Sequence, residues 1–213
     1  MYKFMNDLKV IFFDVGNTLI KVDNKNNLTS KLQNVVRDKT PFFQENVNKY
    51  FRTVNKPYYF TLKYFLKEYS MTITPEIYNY VFTEAIIPDL YKDVKPIFEF
   101  LKKSAIAIGI ISNCSEFESH GLDSLGLNFY IKYRIYSFEV GYAKPDLEIF
   151  NIAKKLTGYE GNNLLYVGDH YEMDFLGALS AGWNALYLNR QGLFSPQNKS
   201  IDTLERIKEF FLC

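Results

Sequence analysis

Four short apolar runs, each closed by polar residues, punctuate the chain. Val10, Ile11, Phe12 and Phe13 lead without a break into Asp14 and Gly16, the pattern of a parallel strand buried on both faces that presents a carboxylate at its C-terminal end. Ile106 to Ile111 ends in Ser112 and Asn113, Leu164 to Val167 ends in Gly168 and Asp169, and Ala185 to Leu188 ends in Asn189. Between these runs, Val94, Ile97, Phe98 and Leu101, then Ile149, Ile152, Ala153 and Leu156, fall at helical spacing. Strand and helix therefore alternate. The alternation predicts a doubly wound α/β fold with a parallel sheet, in which ligands bind beyond the carboxyl ends of the strands. The polar strand ends thus converge on one crevice.

Residues from about 28 to 91 interrupt the alternation with helical repeats alone: Leu32, Val35 and Val36; Val47, Tyr50, Phe51 and Val54; Leu62, Phe65, Leu66 and Tyr69; Ile77, Tyr80 and Val81. Thr74 and Pro75 are suited to the N-cap and first turn of the last of these. The segment reads as a helical insertion after the first strand, joined to it by a loop around Asp23 to Asn27. Residues 21–92 carry 11 lysines and arginines against 7 acids, a net +4. A solvated face accounts for that excess more simply than a lid over an anionic ligand.

Composition narrows the possibilities. The 213 residues carry 25 Lys+Arg against 24 Asp+Glu, a formal net charge of +1, which argues against a protein that coats nucleic acid or an anionic membrane. With 47% hydrophobic residues, the chain is long enough for one ample core or a core with a smaller insertion. Phe, Tyr and Trp make up 17% of it, but without basic interleaving they read as packing, not as a stacking platform. Cys114 and Cys213 are too few for a disulfide framework or a zinc site. A reducing cytoplasm fits best, and the N-terminal MYKFMNDLK has neither the apolar core of a secretion signal nor a membrane-spanning run.

Four segments carry the chemistry: Asp14 to Leu19, Ile111 to Asn113, Gly141 to Asp146, and Gly168 to Asp174. Singly, an Asp or Ser at a strand end is more often a helix cap than a catalyst. Together, in order, they supply what phosphoryl transfer to an aspartate requires. A carboxylate nucleophile divides one difficult displacement into two easier ones. Nucleophile and phosphoryl oxygens are all negative, so a divalent cation must lie between them, and Mg²⁺ favours carboxylates, carbonyls and water. Asp14 and Asp169 are the candidate carboxylates. Ser112, Asn113 and Lys144 are the candidate donors to phosphoryl oxygens, and Lys144 can also hold Asp14 ionised.

On these residues the chain resembles the haloacid dehalogenase superfamily, in the branch with a helical cap inserted between the first and second motifs. FFDVGNTL matches motif one, VKPIFEFLKKSAIAIGIISN motif two, GYAKPDLEIF motif three and LLYVGDHYEMDFLGALSAGW motif four. The resemblance implies a Rossmann-like core with strand order 5-4-1-2-3, formed by residues 1–20 and 92–213, under a cap of residues 21–91. It implies Asp14 as nucleophile and Ser112 and Lys144 as phosphoryl-binding residues. Mg²⁺ would be held by Asp14, the Gly16 carbonyl and Asp169, with Asp174 joining the acidic group behind the ion or engaging Lys144. The implied activity is a Mg²⁺-dependent phosphatase acting on a small phosphorylated metabolite, with the cap choosing the substrate.

One position departs from the family. Its phosphatases usually carry an aspartate two residues after the nucleophile, as acid to the leaving alkoxide and base to the attacking water. Here that position is Gly16. General acid-base help is typically worth about 10² to 10⁴ in rate, so a phosphatase of this sequence should favour good leaving groups. His170, or a Tyr or Lys of the cap, is a candidate substitute acid, although a loop histidine bonded to backbone is the simpler reading of His170. His120 reads as a surface residue. Two further readings stand beside the phosphatase. Carbon-halogen hydrolysis needs no proton donor, but the family's dehalogenases tend to carry Tyr at the Gly16 position and work without metal. A carbon-phosphorus hydrolase would need a cap lysine, and spacing alone does not choose among Lys31, Lys49, Lys63 and Lys67. The third reading is a non-catalytic metal- and phosphate-binding regulator.

Overall fold

The structure, a computed structural model, describes residues 7–23, 26–82, 89–123, 125–192 and 199–211, with the side chains of 120–123 excepted. The His120 side chain, Cys213 and residues 24 and 25 of the expected loop therefore lie outside what is described.

Strand β1 (Val10–Phe13) is buried along its whole length. Its parallel neighbours are β2 (Ala107–Ser112) and β4 (Leu164–Gly168), with Phe13 level with both Ile110 and Val167. β3 (Ile131–Tyr136) pairs with β2, β5 (Asn184–Leu188) with β4, and the two-residue β6 (Ser200–Ile201) with β5, all in parallel. The order across the sheet is β3-β2-β1-β4-β5-β6. This is the expected 5-4-1-2-3 arrangement with a sixth strand added at one edge. Strand β3 has no counterpart among the four apolar runs, because Lys132 and Arg134 break up its sequence, IKYRIY. Only one side of an edge strand has a neighbour, so it tolerates such residues.

Alternation along β1 divides the core. Ile11 and Phe13 face one layer, which α5 (Val94–Lys103) covers with Val94, Ile97, Phe98 and Leu101, helped by Leu204 and Ile207 of a C-terminal 3₁₀ segment. Val10 and Phe12 face the other, covered by Ile149, Phe150 and Ala153 of α6 (Leu147–Thr157) together with Ala178 and Trp183. Each such side chain contributes about 1.5–3 kcal/mol on burial, so the sheet is fixed from both faces. Asp146 caps α6 by accepting from the Glu148 amide at 2.9 Å, which ends the Lys144–Pro145 segment in a defined position.

The helices between β1 and β2 are α1 (Leu28–Val36), α2 (Pro41–Val47), α3 (Tyr58–Lys67) and α4 (Pro75–Phe82), with a π-helical turn, Asn48–Arg52, continuing α2. Their inward positions, among them Leu32, Val47, Phe51, Leu62, Phe65, Leu66 and Val81, form a third apolar cluster distinct from the two on the sheet. Thr74 caps α4, its Oγ1 accepting from the Ile77 amide at 3.3 Å. A short antiparallel ribbon, Ile20–Lys21 against Asp89–Leu90, brackets the segment. Among the described residues, no helix is long and apolar enough to cross a membrane.

Candidate active site

The register places the site. Phe13 lies level with Ile110 and Val167, so Asp14, Ser112 and Asp169 all emerge past the same end of the sheet. The Asp14 amide donates to the Val167 carbonyl at 2.9 Å, which fixes the start of the following loop. In that loop Asn17 takes a left-handed backbone, φ 53°, and its Oδ1 accepts from the Val22 amide at 3.3 Å. Asparagine tolerates this conformation better than most residues. The chain turns back, and Gly16 comes to lie beside Ile20 and Val22.

Lys144 joins the acidic residues. Its Nζ donates to Asp14 Oδ1 at 2.6 Å, to Asp174 Oδ1 at 2.7 Å and to the Tyr166 hydroxyl at 2.7 Å. Three partners use all three ammonium protons. The Lys144 side chain is 2% exposed, and burial alone would lower its pKa. The Asp14 and Asp174 charges outweigh that effect and raise it, so the lysine stays charged. Tyr166 passes its own proton to the Ile111 carbonyl at 3.0 Å, and burial pushes that phenol well above its ordinary range. Asp174 has both oxygens engaged, Oδ1 by Lys144 and Oδ2 by the His170 amide at 3.0 Å. The approach is possible because residue 168 is glycine: a Cβ there would come within 2.4 Å of the Asp174 carboxyl carbon.

Asp169 receives a hydrogen bond from Thr18 Oγ1 at 3.3 Å. Asp14, Asp169 and Asp174 each offer an oxygen within 4.8 Å of the others. Three ionised carboxylates beside one ammonium carry a net charge of −2, which opposes ionisation of Asp14 and Asp169. Burial, with Asp174 and Asp169 adding to it against the pull of Lys144, raises Asp14 from 3.8 to about 7. Burial and Asp174 raise Asp169 from 3.8 to about 6.

Asn113 clamps the lysine's main chain. Its Nδ2 donates to the Lys144 carbonyl and its Oδ1 accepts from the Lys144 amide, both at 2.8 Å. Ser112 is buried and lines the cavity beside Cys114. His170 caps the π-helical turn Tyr171–Leu176, its Nδ1 accepting from the Met173 amide at 3.3 Å. A nitrogen that accepts this bond carries no proton of its own. To act as an acid it would have to protonate Nδ1 and give up the cap, so the simpler reading of this histidine holds.

The sequence-predicted residues Asp14, Gly16, Ser112, Asn113, Lys144, Asp169 and Asp174 all line one cavity of about 360 Å³, within the range of small-molecule sites. From the helical segment it receives Leu28, Thr29 and Arg52. None of Lys31, Lys49, Lys63 and Lys67 is among its lining residues, so the lysine that a carbon-phosphorus hydrolase needs is not supplied by these four. Thr18, Tyr166 and Arg52 went unnoticed in the sequence. Thr18 stands within motif one and was accessible to motif reading, whereas nothing in the apolar run LLYVG marks the Tyr166 hydroxyl.

The family model described as haloacid dehalogenase-like hydrolase matches residues 8–182. The glyceraldehyde 3-phosphate phosphatase of Methanothermobacter thermautotrophicus is 27% identical over 196 residues, covering 86% of this chain and 87% of its own. Among solved structures, a HAD phosphatase from Thermococcus onnurineus superposes with a TM-score of 0.66 at 21% identity, over 96% of this chain and 98% of its own. A 2-haloacid dehalogenase from Pseudomonas syringae pv. Tomato superposes with a TM-score of 0.68 at 20% identity, also over 96% and 98%. At such identities the structural likeness is one of fold.

Proposed function

Because the chain belongs to the haloacid dehalogenase-like hydrolases, we propose that it is a phosphatase that cleaves small phosphate monoesters through an aspartyl-phosphate at Asp14. The observation that carries this reading is the way Lys144 binds Asp14: it takes Oδ1 and leaves Oδ2 for attack. In the first step Asp14 Oδ2 bonds to phosphorus as the ester oxygen departs with its electron pair. In the second, water displaces Asp14 and releases phosphate. Ser112 offers its hydroxyl to the phosphoryl oxygens. Lys144, with its three protons spent, acts as a fixed positive charge and holds Asp14 in position, and Asn113 holds Lys144. In this reading residues 21–91 form a cap domain over a core of residues 1–20 and 92–213.

The residues fit Mg²⁺. The donor set is all hard oxygen, which this ion prefers, and its surplus of two negative charges is relieved only by protons while no cation is bound. Asp14, Asp169 and the Gly16 carbonyl would hold the ion, with Asp174 adding its charge through Lys144 and the His170 amide. When bound, Mg²⁺ supplies charge neutralisation between nucleophile and phosphoryl group. The sign of the resulting pH effect follows from the raised carboxyl pKa values. Above pH 3.8 the folded, metal-free protein keeps protons that the unfolded chain releases, on Asp14 up to about pH 7 and on Asp169 up to about pH 6, so this contribution to stability is present below pH 3.8 and lost as pH rises through those values. Mg²⁺ replaces those protons, and its stabilisation must grow with pH. At a hundredfold excess over Kd we expect about 2.7 kcal/mol, or a rise in Tm of about 5–10 °C, at pH 8 and much less at pH 5. Melting curves with and without Mg²⁺ check this, and equal shifts at both pH values would contradict it.

No aspartate stands at position 16, and His170 is tied to its cap, so the departing oxygen receives no obvious proton. Aryl and acyl phosphates should therefore react well and alkyl phosphates poorly. Gly16→Asp should raise kcat on an alkyl phosphate about tenfold or more, approaching the usual worth of general acid help, with little change on an aryl phosphate. A Cβ at Gly16 meets Val22 Cγ2 at 3.2 Å, so Val22→Ala is added to give it room. No gain on the alkyl ester, with Mg²⁺ binding intact, would contradict this account of the gap.

The missing acid equally suits a dehalogenase, since a halide leaves unprotonated. One pair of assays separates the two. Release of p-nitrophenol from p-nitrophenyl phosphate that requires Mg²⁺ supports the phosphatase. Hydrolysis of 2-chloropropionate that persists in EDTA supports the alternative and overturns the proposal.

A further inference from the structure

Beyond the acidic cluster, the cavity continues beneath the helical segment, where Arg52 differs from the other lining cations. Lys144 is surrounded by carboxylates, and Lys21 is paired with Asp89 at 2.7 Å. Among the described residues Arg52 has no acidic partner. It ends the π-helical turn after α2, donating from one terminal nitrogen to the Asn113 carbonyl at 2.9 Å and from the other to Thr29 Oγ1 at 3.4 Å. Both acceptors are neutral. Its Nε is buried without a hydrogen-bond partner. Of the other acids lining the cavity, Asp23 accepts from Asn26 at 2.8 Å, and Glu118 accepts from the Ser115 amide and hydroxyl at 2.9 and 3.0 Å.

A guanidinium does not lose its proton, and a buried donor without a partner is costly to keep. Arg52 lines the cavity, and a guanidinium is a planar fork suited to a carboxylate. We propose that Arg52 binds a carboxylate at the end of the substrate remote from the phosphoryl group, which makes the substrates small phosphorylated carboxylic acids. This rests on the phosphatase reading for the phosphoryl end alone. The cavity of about 360 Å³ has the volume of a small-molecule site. The carboxylate would also complete a chain of contacts, since Arg52 holds the Asn113 carbonyl while the Asn113 side chain holds Lys144.

The test compares two esters with one carbon skeleton, 3-phosphoglycerate and glyceraldehyde 3-phosphate, with Mg²⁺ present. The wild-type protein should favour the acid in kcat/KM by about ten- to a hundredfold, the worth of a hydrogen bond between charged groups. Arg52→Gln should bring that ratio close to one, and Arg52→Lys, which keeps the charge but not the fork, should leave it in between. Any general harm from losing the Asn113 contact affects both esters and cancels in the ratio. A wild-type protein without preference for the acid, or a ratio that Arg52→Gln leaves unchanged, overturns the proposal. Calorimetry with 3-phosphonopropionate and propylphosphonate gives a readout independent of turnover. The wild-type protein should bind the acid about tenfold more tightly or better, and Arg52→Gln should lose the difference. If neither of these alkyl esters turns over measurably, Mg²⁺-dependent release of p-nitrophenol from p-nitrophenyl phosphate still decides the phosphatase reading, and this binding difference decides for or against Arg52. Arg52→Lys serves the same purpose should the Gln variant not fold.

Discussion

Asp14→Asn is expected to reduce Mg²⁺-dependent hydrolysis of p-nitrophenyl phosphate by about 10⁴-fold or more, the scale seen when a covalent nucleophile is removed and only binding and electrostatics remain. The substitution keeps the shape of the side chain and removes the atom proposed to attack. It should not unfold the protein. Lys144 retains Asp174 and Tyr166 as partners, and Asp14 is itself a carboxyl group that burial and neighbouring acids push up to about 7. Removing that charge relieves repulsion with Asp169 and Asp174, so the metal-free Asn variant should melt no lower than the wild-type protein at pH 8. Loss of activity with an unchanged or raised Tm separates a chemical role from a structural one. Retained turnover would remove Asp14 from the mechanism.

Lys144→Met should have the opposite profile, with a large loss of stability as well as of activity. Among the described residues its ammonium is the single positive charge bonded to Asp14 and Asp174, both largely enclosed, with side-chain exposures of 14% and 2%. Breaking a buried ion pair from one side typically costs about 3–5 kcal/mol, because the remaining charge has no partner. For a chain of this length that corresponds to a drop in Tm of about 6–20 °C. The loss should be greatest at high pH, where Asp14 is ionised, and should diminish at pH 5, below its raised pKa of about 7, where a proton on Asp14 can take the place of the lysine. Adding Asp174→Asn to Lys144→Met removes one of the stranded charges and should recover part of the stability without recovering turnover. Thermal melts of the single and double variants at pH 5 and pH 8 test this, and a single variant as stable as the wild-type protein would show that the lysine charge is not needed to hold the cluster.

The parts of this molecule that could be read from sequence are those where one pressure acts alone. Val10 to Phe13 is apolar without interruption because both faces of the strand are covered, and the polar residue that follows marks where the sheet ends. The helical repeats of residues 28–82 were visible because each helix turns one stripe toward a shared cluster. Ile131 to Tyr136 was not visible, because an edge strand carries Lys132 and Arg134 without penalty. The same holds within the site. Asp14, Ser112, Lys144 and Asp169 stand at strand ends or in short motifs, where a polar residue is conspicuous. The Tyr166 hydroxyl is concealed in an otherwise apolar strand, and Arg52 in a helical repeat where any cation reads as solvated. Nor could sequence tell that the Asn113 side chain is turned on the Lys144 main chain, since that depends on how two strand-end loops meet. His170 could be read only as a choice between two roles, and one hydrogen bond from the Met173 amide decides between them.

The proposed chemistry predicts a covalent species on one identified atom. The most direct measurement is to quench the protein during turnover of an activated phosphate ester, reduce it with borohydride, and map the peptides by mass spectrometry. An aspartyl-phosphate at Asp14 would be reduced to homoserine at that position, in wild-type protein and not in Asp14→Asn. Homoserine at position 14 is the result this account predicts. Steady turnover with Asp14 unmodified, or an adduct on a different side chain, would contradict it.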